Sequence, residues 1–415
     1  MNANSFVVKA ALLLVSSLTV MAGATIAPAL PTMEEYFSDT GSAGLWVRLI
    51  LTLPALLIVL GAPLAGLIVD RRGRMYLLIP SMILYGLAGS SGLYLDSLTA
   101  ILAGRALLGL AVAGIMTSAT TLIADYYEGA VRSQFMGWQA AFMSFGGVAF
   151  LTGGGALAEI SWRWPFSIYL LSILLVPLVL LALFEPVKEK QTETGSADSR
   201  HPDRQPVQLL GFIYGAGLFG MILFYLIPLQ IPFFLKEMIG AGPTASGIAI
   251  AVSTLFGTVT SLSFGGIHKR MGHVPILGLN FALMAVGYLI IGLADEYITA
   301  LAGLAVCGLG MGLMFPNMNV WLTSKVPAYM RGRAVGGLTT AIFLGQFLSP
   351  AGSQLLDLEL LFPSAGVVLL ASAILILAFR KSILRFTAVS SKPVREEVRN
   401  PIPVTEQRPM NKVGS

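Results

Sequence analysis

Twelve long apolar segments leave this 415-residue chain with few possible folds. Each has about 20 or more mostly apolar residues, the length that a helix needs to cross the hydrocarbon core of a bilayer. Only 11% of the residues are charged, against about 25% in soluble domains. The segments, called spans 1 to 12, cover residues 7–30, 43–69, 75–95, 98–124, 132–158, 164–184, 208–234, 244–267, 274–294, 297–324, 332–356 and 361–380. They predict an all-α membrane protein with twelve transmembrane helices.

Lysine and arginine are distributed unevenly among the loops between these spans. If the spans alternate in direction, nearly all of the 26 Lys and Arg residues fall on the side of the two termini; the exceptions are Arg48, Arg105, Arg163 and Lys236. Basic loops remain in the cytoplasm during membrane insertion. We therefore expect both termini in the cytoplasm and a multi-pass protein of the cell inner (plasma) membrane. The net charge of +5 follows from this topology and does not indicate a nucleic-acid partner.

A polar stretch divides the chain into two halves of six spans. Residues 185–207 are rich in charge, Ser, Thr and Pro, and they predict a flexible cytoplasmic linker. The linker separates a six-helix bundle over residues 1–184 from a second over residues 208–380. Residues 381–415 have a similar composition and predict a disordered cytoplasmic tail.

The loops after spans 2 and 8 resemble each other. The first reads GLIVDRRGR and the second GGIHKRMGH, so that Gly66 matches Gly265, Arg71 matches Arg270 and Gly73 matches Gly272. Such repetition indicates that the two halves are copies of one unit. Paired six-helix repeats around a shared site are typical of secondary transporters.

The first loop is similar to the G-x-L-x-D-R-x-G-R element of the major facilitator superfamily, and over residues 7–380 the chain resembles that family's twelve-helix drug:proton antiporters. The matching residues are Gly66, Asp70, Arg71, Gly73 and Arg74. The resemblance implies a gate in which Asp70 meets the positive N-terminus of span 11 when the transporter faces outward. It also implies that Arg71 pairs with Asp125 at the end of span 4. Lys269 replaces the aspartate in the second copy, so a gate there should be weak or absent.

Span 4 contains a charge deep within the apolar sequence. Arg105 and Gly109 match the family's R-x-x-x-G element. A cation inside the membrane is costly unless it faces a wet cavity or a partner. We therefore expect Arg105 to act in coupling or as an anchor for an anion. The alternative is that Arg105 lies near the outer end of the span and extends to the interface.

Span 5 carries glycines at spacings that favour close helix packing. Gly137, Gly146, Gly154 and Gly155 fit the family's antiporter element, and span 8 is the expected partner. Phe150 and Leu151 stand where that element has Gly-Pro, so the kink that it provides is not expected here.

Several polar, aromatic and methionine side chains are candidates for lining a central cavity. These candidates are Thr25, Met116, Trp138, Gln139, Phe142, Tyr214, Tyr225, Asn317 and Gln346. Soft and aromatic side chains can repack around ligands of varied shape, which suits amphipathic compounds. The alternative for each residue is that it packs one helix against another.

Acidic residues are absent from the middle of every predicted span, although the chain has 21 of them. A buried carboxylate is the simplest proton carrier in a membrane, because burial raises its pKa towards neutrality. Proton coupling would therefore need an acid at the membrane surface, such as Glu34, Asp125 or Glu159, or would be absent.

The resemblance implies a secondary active transporter that exports small amphipathic compounds by alternating access, in exchange for protons, and works as a monomer. One alternative is a specific transporter for a sugar, a siderophore or an organic anion, with Arg105 as its anion anchor. A second is a membrane receptor or scaffold that transports nothing. An enzyme is not expected, since no catalytic constellation occurs. One cysteine and three histidines without ligand spacing predict no metal site and no cofactor.

Overall fold

The computed structural model of the protein describes residues 5–186, 207–327, 330–353 and 356–387. In these residues twelve spans are long and apolar enough to cross a membrane, as predicted: Phe6–Tyr36, Ala43–Arg72, Arg74–Leu93, Leu98–Tyr126, Gly129–Ile160, Trp164–Ala182, Val207–Ile239, Pro243–Arg270, His273–Gly292, Tyr297–Lys325, Arg331–Gly352 and Leu358–Ala378. A short helix, Arg380–Phe386, follows span 12 where the predicted tail begins. Most of the predicted linker lies outside the described residues.

Spans 1 and 7 are interrupted, and spans 3 and 6 have a 3-10 turn at one end. Span 1 consists of helix Phe6–Ala24, a 3-10 turn and helix Leu30–Tyr36, and span 7 consists of helices Val207–Phe224 and Leu226–Ile239. Spans 3 and 6 contain the 3-10 turns Ser90–Leu93 and Trp164–Leu170. Pro28 lies in the break of span 1 and Pro228 just after that of span 7. Proline lacks the N–H that continues a helix, so equivalent spans of the two halves break in similar places.

The packing within each half repeats the duplication seen in the sequence. In the first half, span 2 packs on span 4, span 3 on spans 4 and 6, and span 1 on span 5. In the second half, span 8 packs on span 10, span 9 on spans 10 and 12, and span 7 on span 11. The halves meet along two seams, one between spans 5 and 8 and the other between spans 2 and 11.

Two equivalent glycines allow spans to approach closely at matching places in the two halves. A Cβ atom on Gly109 would lie closer than 3.0 Å to the carbonyl oxygen of Pro54 in span 2. A Cβ atom on Gly308 would also lie closer than 3.0 Å to the carbonyl oxygen of Ser253 in span 8. Helices come this near in membranes when small residues line the contact. Spans 4 and 10 are therefore held at the same place in each half.

Candidate functional site

The two halves are in contact on one side of the membrane, the side that carries the acidic loops after spans 1, 3, 5, 7, 9 and 11. We call it the acidic side and the opposite one the basic side. On the acidic side Glu35 of the first half forms an ion pair with Lys236 of the second. Arg48 places Nη2 3.5 Å from Gln230 Oε1 and its guanidinium 4.2 Å from the centre of the Phe233 ring. These contacts close the passage between the halves there.

The halves separate towards the basic side. In span 8, Gly247 and Thr254 lie against span 5, whereas Ser261, which follows at the same helical spacing, is exposed. In span 5, Gly147 lies against span 8 and Ala140, two turns nearer the basic side, is exposed. The seam between spans 5 and 8 therefore opens along its length, and the space between the halves faces the basic side.

The first-half wall of this space includes one face of span 4. Met116 is partly exposed and Thr120 is exposed, one turn nearer the basic side. Both follow Gly109 on the face that lies between spans 1 and 2. Met116 was predicted to line a cavity, and Thr120 was not.

The second half repeats this wall in span 10. Phe315 and Asn319 stand seven and eleven residues after Gly308, as Met116 and Thr120 stand after Gly109. Phe315 is 37% exposed and Asn319 is partly exposed. The register of the duplication could have identified both residues from the sequence. The two walls, which are related by the repeat, thus combine apolar surface with uncharged polar groups.

Arg105 closes the acidic-side end of the span 4 face. Its side chain is 0% exposed, and it donates from Nε to Ile50 O at 2.9 Å and from Nη2 to Ala22 O at 2.6 Å. The guanidinium also lies 5.1 Å from the centre of the Tyr169 ring, while Nη1 is buried without a hydrogen-bond partner. Complete burial shows that the side chain does not extend to the interface. Arg105 instead joins spans 1, 2 and 4 through backbone carbonyls.

Three residues from both halves meet beside Arg105. A Cβ atom on Gly23 of span 1 would lie 2.8 Å from the hydroxyl oxygen of Tyr225 in span 7. The side-chain nitrogen of Gln346 in span 11 lies 3.6 Å from the same position, and the side chains of Tyr225 and Gln346 are both buried. The predicted candidates Tyr225 and Gln346 are therefore brought together, across the break in span 7, against the first half.

Four other polar candidates form hydrogen bonds within their own half. These bonds join Thr25 to Met21 O, Gln139 to Ser16 Oγ, Tyr214 to Ala334 O, and Asn317 to both His273 O and His273 Nδ1, at 2.8–3.0 Å. Thr25 and Asn317 are buried. Such bonds satisfy polar groups inside an apolar bundle. Those of Gln139, Tyr214 and Asn317 join different spans and stabilise their contacts in this conformation, whereas that of Thr25 lies within span 1.

Trp138 and Phe142 lie on a face of span 5 that points away from the other half. They continue at helical spacing into Phe145, Ala149 and Ala156, all exposed, while the opposite face holds the contacts with spans 1 and 8. This stripe faces lipid, so we do not retain Trp138 and Phe142 as cavity candidates. An aromatic side chain can face lipid or line a cavity, so the sequence could not show which of the two applies to Trp138 and Phe142.

The glycines of span 5 allow close packing against two neighbouring spans, 1 and 8. Cβ atoms on Gly146 and Gly154 would press on span 1, and one on Gly155 would lie 2.7 Å from the carbonyl oxygen of Pro243 at the start of span 8. Nothing lies within 4 Å of the corresponding position on Gly137. Close packing on span 8 therefore uses Gly155, near the acidic side.

The loop after span 2 differs from the expected pairing. Arg74, and not Arg71, forms the ion pair with Asp125, with 2.8 Å between Nε and Oδ2. Span 2 continues as a helix to Arg72, so that Arg71 points away from Asp125 and is exposed. Asp70 is also exposed, and an added Cβ on Gly66 would meet nothing within 4 Å.

Glu185, at the end of span 6, determines the geometry of that loop. Its carboxylate accepts hydrogen bonds at 2.9 and 2.8 Å from the first two backbone amides of span 3, those of Arg74 and Met75. A carboxylate is favourable there because the N-terminus of a helix is positive. Gly73 has φ of 109°, and a Cβ atom on it would lie 2.8 Å from the carboxylate. The sequence analysis assigned Glu185 to the linker and missed this role.

Replacing Arg74 with Ala should lower the stability of the protein by about 1 kcal/mol, because a partly buried ion pair is lost. Arg71→Ala is the matched control and should change stability by less than about 0.5 kcal/mol. Thermal unfolding in detergent measures both. Equal losses for the two variants would contradict the assignment of the pair to Arg74.

No metal site is visible in the described parts of the chain, where no three His, Cys, Asp or Glu side chains form a suitable group. His268 and His273 are nevertheless not simple surface residues. His273 stacks on Trp321, with 5.4 Å between ring centres, and lies 4.5 Å from His268. Cys307 is buried and free.

Comparisons with known proteins agree with this architecture. A family profile described as "Major Facilitator Superfamily" matches residues 12–350. The chain is 21% identical over 399 residues to the multidrug transporter protein MdtP of Bacillus subtilis (strain 168), covering 78% of this chain and 72% of that protein. It is 24% identical over 339 residues to the bacillibactin exporter of the same strain, covering 78% and 83% respectively.

A similar solved structure is that of a bacterial homolog of the human lysosomal transporter Spinster, in an inward-facing and occupied conformation. Its TM-score is 0.70 at 18% identity, over 92% of this chain and 95% of that chain. At this identity the likeness concerns the fold alone.

Proposed function

Because the chain belongs to the Major Facilitator Superfamily, whose members are transporters and not enzymes, we propose that it exports small amphipathic compounds by alternating access, in exchange for protons. It acts as a monomer in the cell inner (plasma) membrane, with both termini in the cytoplasm. The distribution of Lys and Arg supports this orientation, since the basic side then faces the cytoplasm.

The observation that carries the proposal is a space between the halves that is closed on the acidic side and open on the basic side. In an exporter this conformation receives compounds from the cytoplasm. Rotation of the halves about the central contact at Tyr225 and Gln346 would then expose the same space outside.

The walls of this space favour neutral or anionic amphipathic compounds over multiply charged cations. Met116 and Phe315 supply deformable and aromatic surface, and Thr120 and Asn319 supply uncharged polar groups. Among the described residues no Asp or Glu is buried, so nothing in the protein interior offsets the desolvation of a dication. One relative, MdtP, is named a multidrug transporter.

A second candidate function is the transport of one specific metabolite, such as an organic anion, a sugar or a siderophore. The unpartnered Nη1 atom of Arg105 favours it, because a buried donor without an acceptor could bind an anionic group once the halves move. The similarity to a protein named bacillibactin exporter agrees with this alternative.

Transport in proteoliposomes with an imposed pH gradient tests the proposal. We expect export of neutral and anionic amphipathic dyes that depends on the gradient, and rates at least about tenfold lower for dicationic dyes of the same size. Phe315→Ala should reduce transport, whereas the lipid-facing control Phe145→Ala should not. Rapid dication export would refute the substrate class, and rates independent of the gradient would refute proton exchange.

A further inference from the structure

Glu159 connects the two halves on the acidic side. It is the penultimate residue of span 5, and its Oε1 accepts a hydrogen bond of 3.1 Å from the backbone amide of Thr244 in span 8. A Cβ atom on Gly242 would lie 2.6 Å from the same oxygen. The carboxylate therefore lies directly at the N-terminus of span 8, which reaches it because position 242 has no side chain.

The electrostatics of this contact are favourable. Span 8 is a continuous helix, Pro243–Arg270, of 28 residues, and the free amides of its first turn carry the positive end of its dipole. Pro243 occupies the first helical position and has no N–H, so the amide of Thr244 is the first donor of the helix. A carboxylate at this position lowers the energy of the conformation in which spans 5 and 8 touch.

The contact belongs to a seam that exists in this conformation only on the acidic side. A Cβ atom on Gly155 of span 5 would lie 2.7 Å from Pro243 O, and Gly247 of span 8 lies against Leu151. Towards the basic side the same two spans diverge, and Ser261 is exposed. Opening the acidic side would therefore break the bond between Glu159 and Thr244.

The loop after span 2 has the inverse arrangement. Asp70 lies near the end of span 2, whose partner in the other seam is span 11, and the N-terminus of span 11 begins at Arg331 on the same side. In both seams an acid at the C-terminal end of a first-half span thus lies on the same side of the membrane as the N-terminus of the second-half span that packs against it. The two acids stand on opposite sides of the membrane.

From this pairing we propose that Glu159 is an electrostatic latch that holds the acidic side closed, the counterpart of the gate expected for Asp70 on the basic side. The latch is engaged when the space between the halves faces the basic side. Its release accompanies opening to the acidic side. The proposal rests on alternating access but not on the identity of the substrate or on proton exchange.

The test compares two single-cysteine reporters in the full-length protein, in a background in which Cys307 is replaced by Ser. Leu151→Cys reports opening of the acidic side, because Leu151 is 2% exposed under the latch. Thr120→Cys reports opening of the basic side, where Thr120 is exposed. Labelling rates with a membrane-impermeant maleimide are measured from each side of oriented proteoliposomes.

Glu159→Gln keeps the shape of the side chain and removes its charge. We expect the ratio of Leu151→Cys labelling to Thr120→Cys labelling to rise about two- to fivefold, in line with the strength of a surface charge at a helix terminus. Gly242→Ala, which displaces the carboxylate without neutralising it, should change the ratio in the same direction. Asp96→Asn is the matched control: it removes an acidic-side carboxylate whose ion pair with Arg163 lies within the first half.

An unchanged ratio in both Glu159→Gln and Gly242→Ala would overturn the proposal. So would faster labelling of both reporters, since that indicates local loosening and not a shift between conformations. The measurement needs no substrate or pH gradient, so a failure of the proposed function leaves it interpretable.

Discussion

Arg105→Ala is expected to reduce transport at least about 100-fold and to destabilise the protein by about 2–4 kcal/mol. The substitution removes two charge-assisted hydrogen bonds, to Ile50 O and Ala22 O, inside the bundle. It also leaves a void among spans 1, 2 and 4, and the backbone cannot collapse to fill it. Thermal unfolding in detergent and transport in proteoliposomes measure the two effects.

Arg105→Lys should give an intermediate loss, because one ammonium group cannot reach both carbonyls as the planar guanidinium does. Arg163→Ala is a matched control. Arg163 also donates to two carbonyls, those of Gly92 and Leu95, but lies at the membrane surface, where water can replace it. A loss of stability for Arg163→Ala as large as that for Arg105→Ala would contradict a special role of the buried site.

Gly109→Ala and Gly308→Ala are expected to destabilise the protein by about 3 kcal/mol each. In each case the new Cβ atom would collide with the backbone carbonyl of a neighbouring helix, and backbone atoms cannot move aside as a side chain can. Both substitutions should also displace the cavity wall that follows the glycine, lowering transport along with stability. Thermal unfolding in detergent measures the loss of stability of each variant, and transport in proteoliposomes measures the loss of activity.

The control for these substitutions is Gly215→Ala, in span 7, where nothing lies within 4 Å of the added atom. Its effect should be neutral or slightly stabilising, because Ala favours a helix. If Gly308→Ala were tolerated and Gly109→Ala were not, the two halves would not share the packing that we infer from their duplication.

Residue order alone determined the twelve spans, and the helices lie close to the predicted ranges. The hydrocarbon core contains no water, so each spanning segment must satisfy its backbone N–H and C=O groups by its own helical hydrogen bonds. Length and apolar composition are therefore enough to locate a helix. The duplication was also readable, since GLIVDRRGR and GGIHKRMGH have the same residue at four of their nine positions, including both glycines of the loop pattern. The position of Arg105 in an apolar sequence indicated a charge within the membrane but left open whether its side chain extends to the interface, and the structure shows that it is buried.

The sequence could not show in the same way which side chains pack against neighbouring spans. A helix in a membrane is apolar on its lipid face as well as on its packed face, so hydropathy does not indicate which way a side chain points. The sequence analysis therefore chose Trp138 for a cavity and passed over Phe315, although of these two residues Phe315 is the one on a cavity wall.

The polar contacts depended still more on the tertiary structure. Asp125 pairs with Arg74, Glu185 caps span 3, and Glu159 caps span 8. Each of these carboxylates is at least 50 residues in sequence from its partner, and its role follows from which helix terminus lies next to it. Composition and order thus determined how often the chain crosses the membrane, whereas only the packing of distant spans decided which charges meet, because such contacts arise between segments that share no local sequence signal.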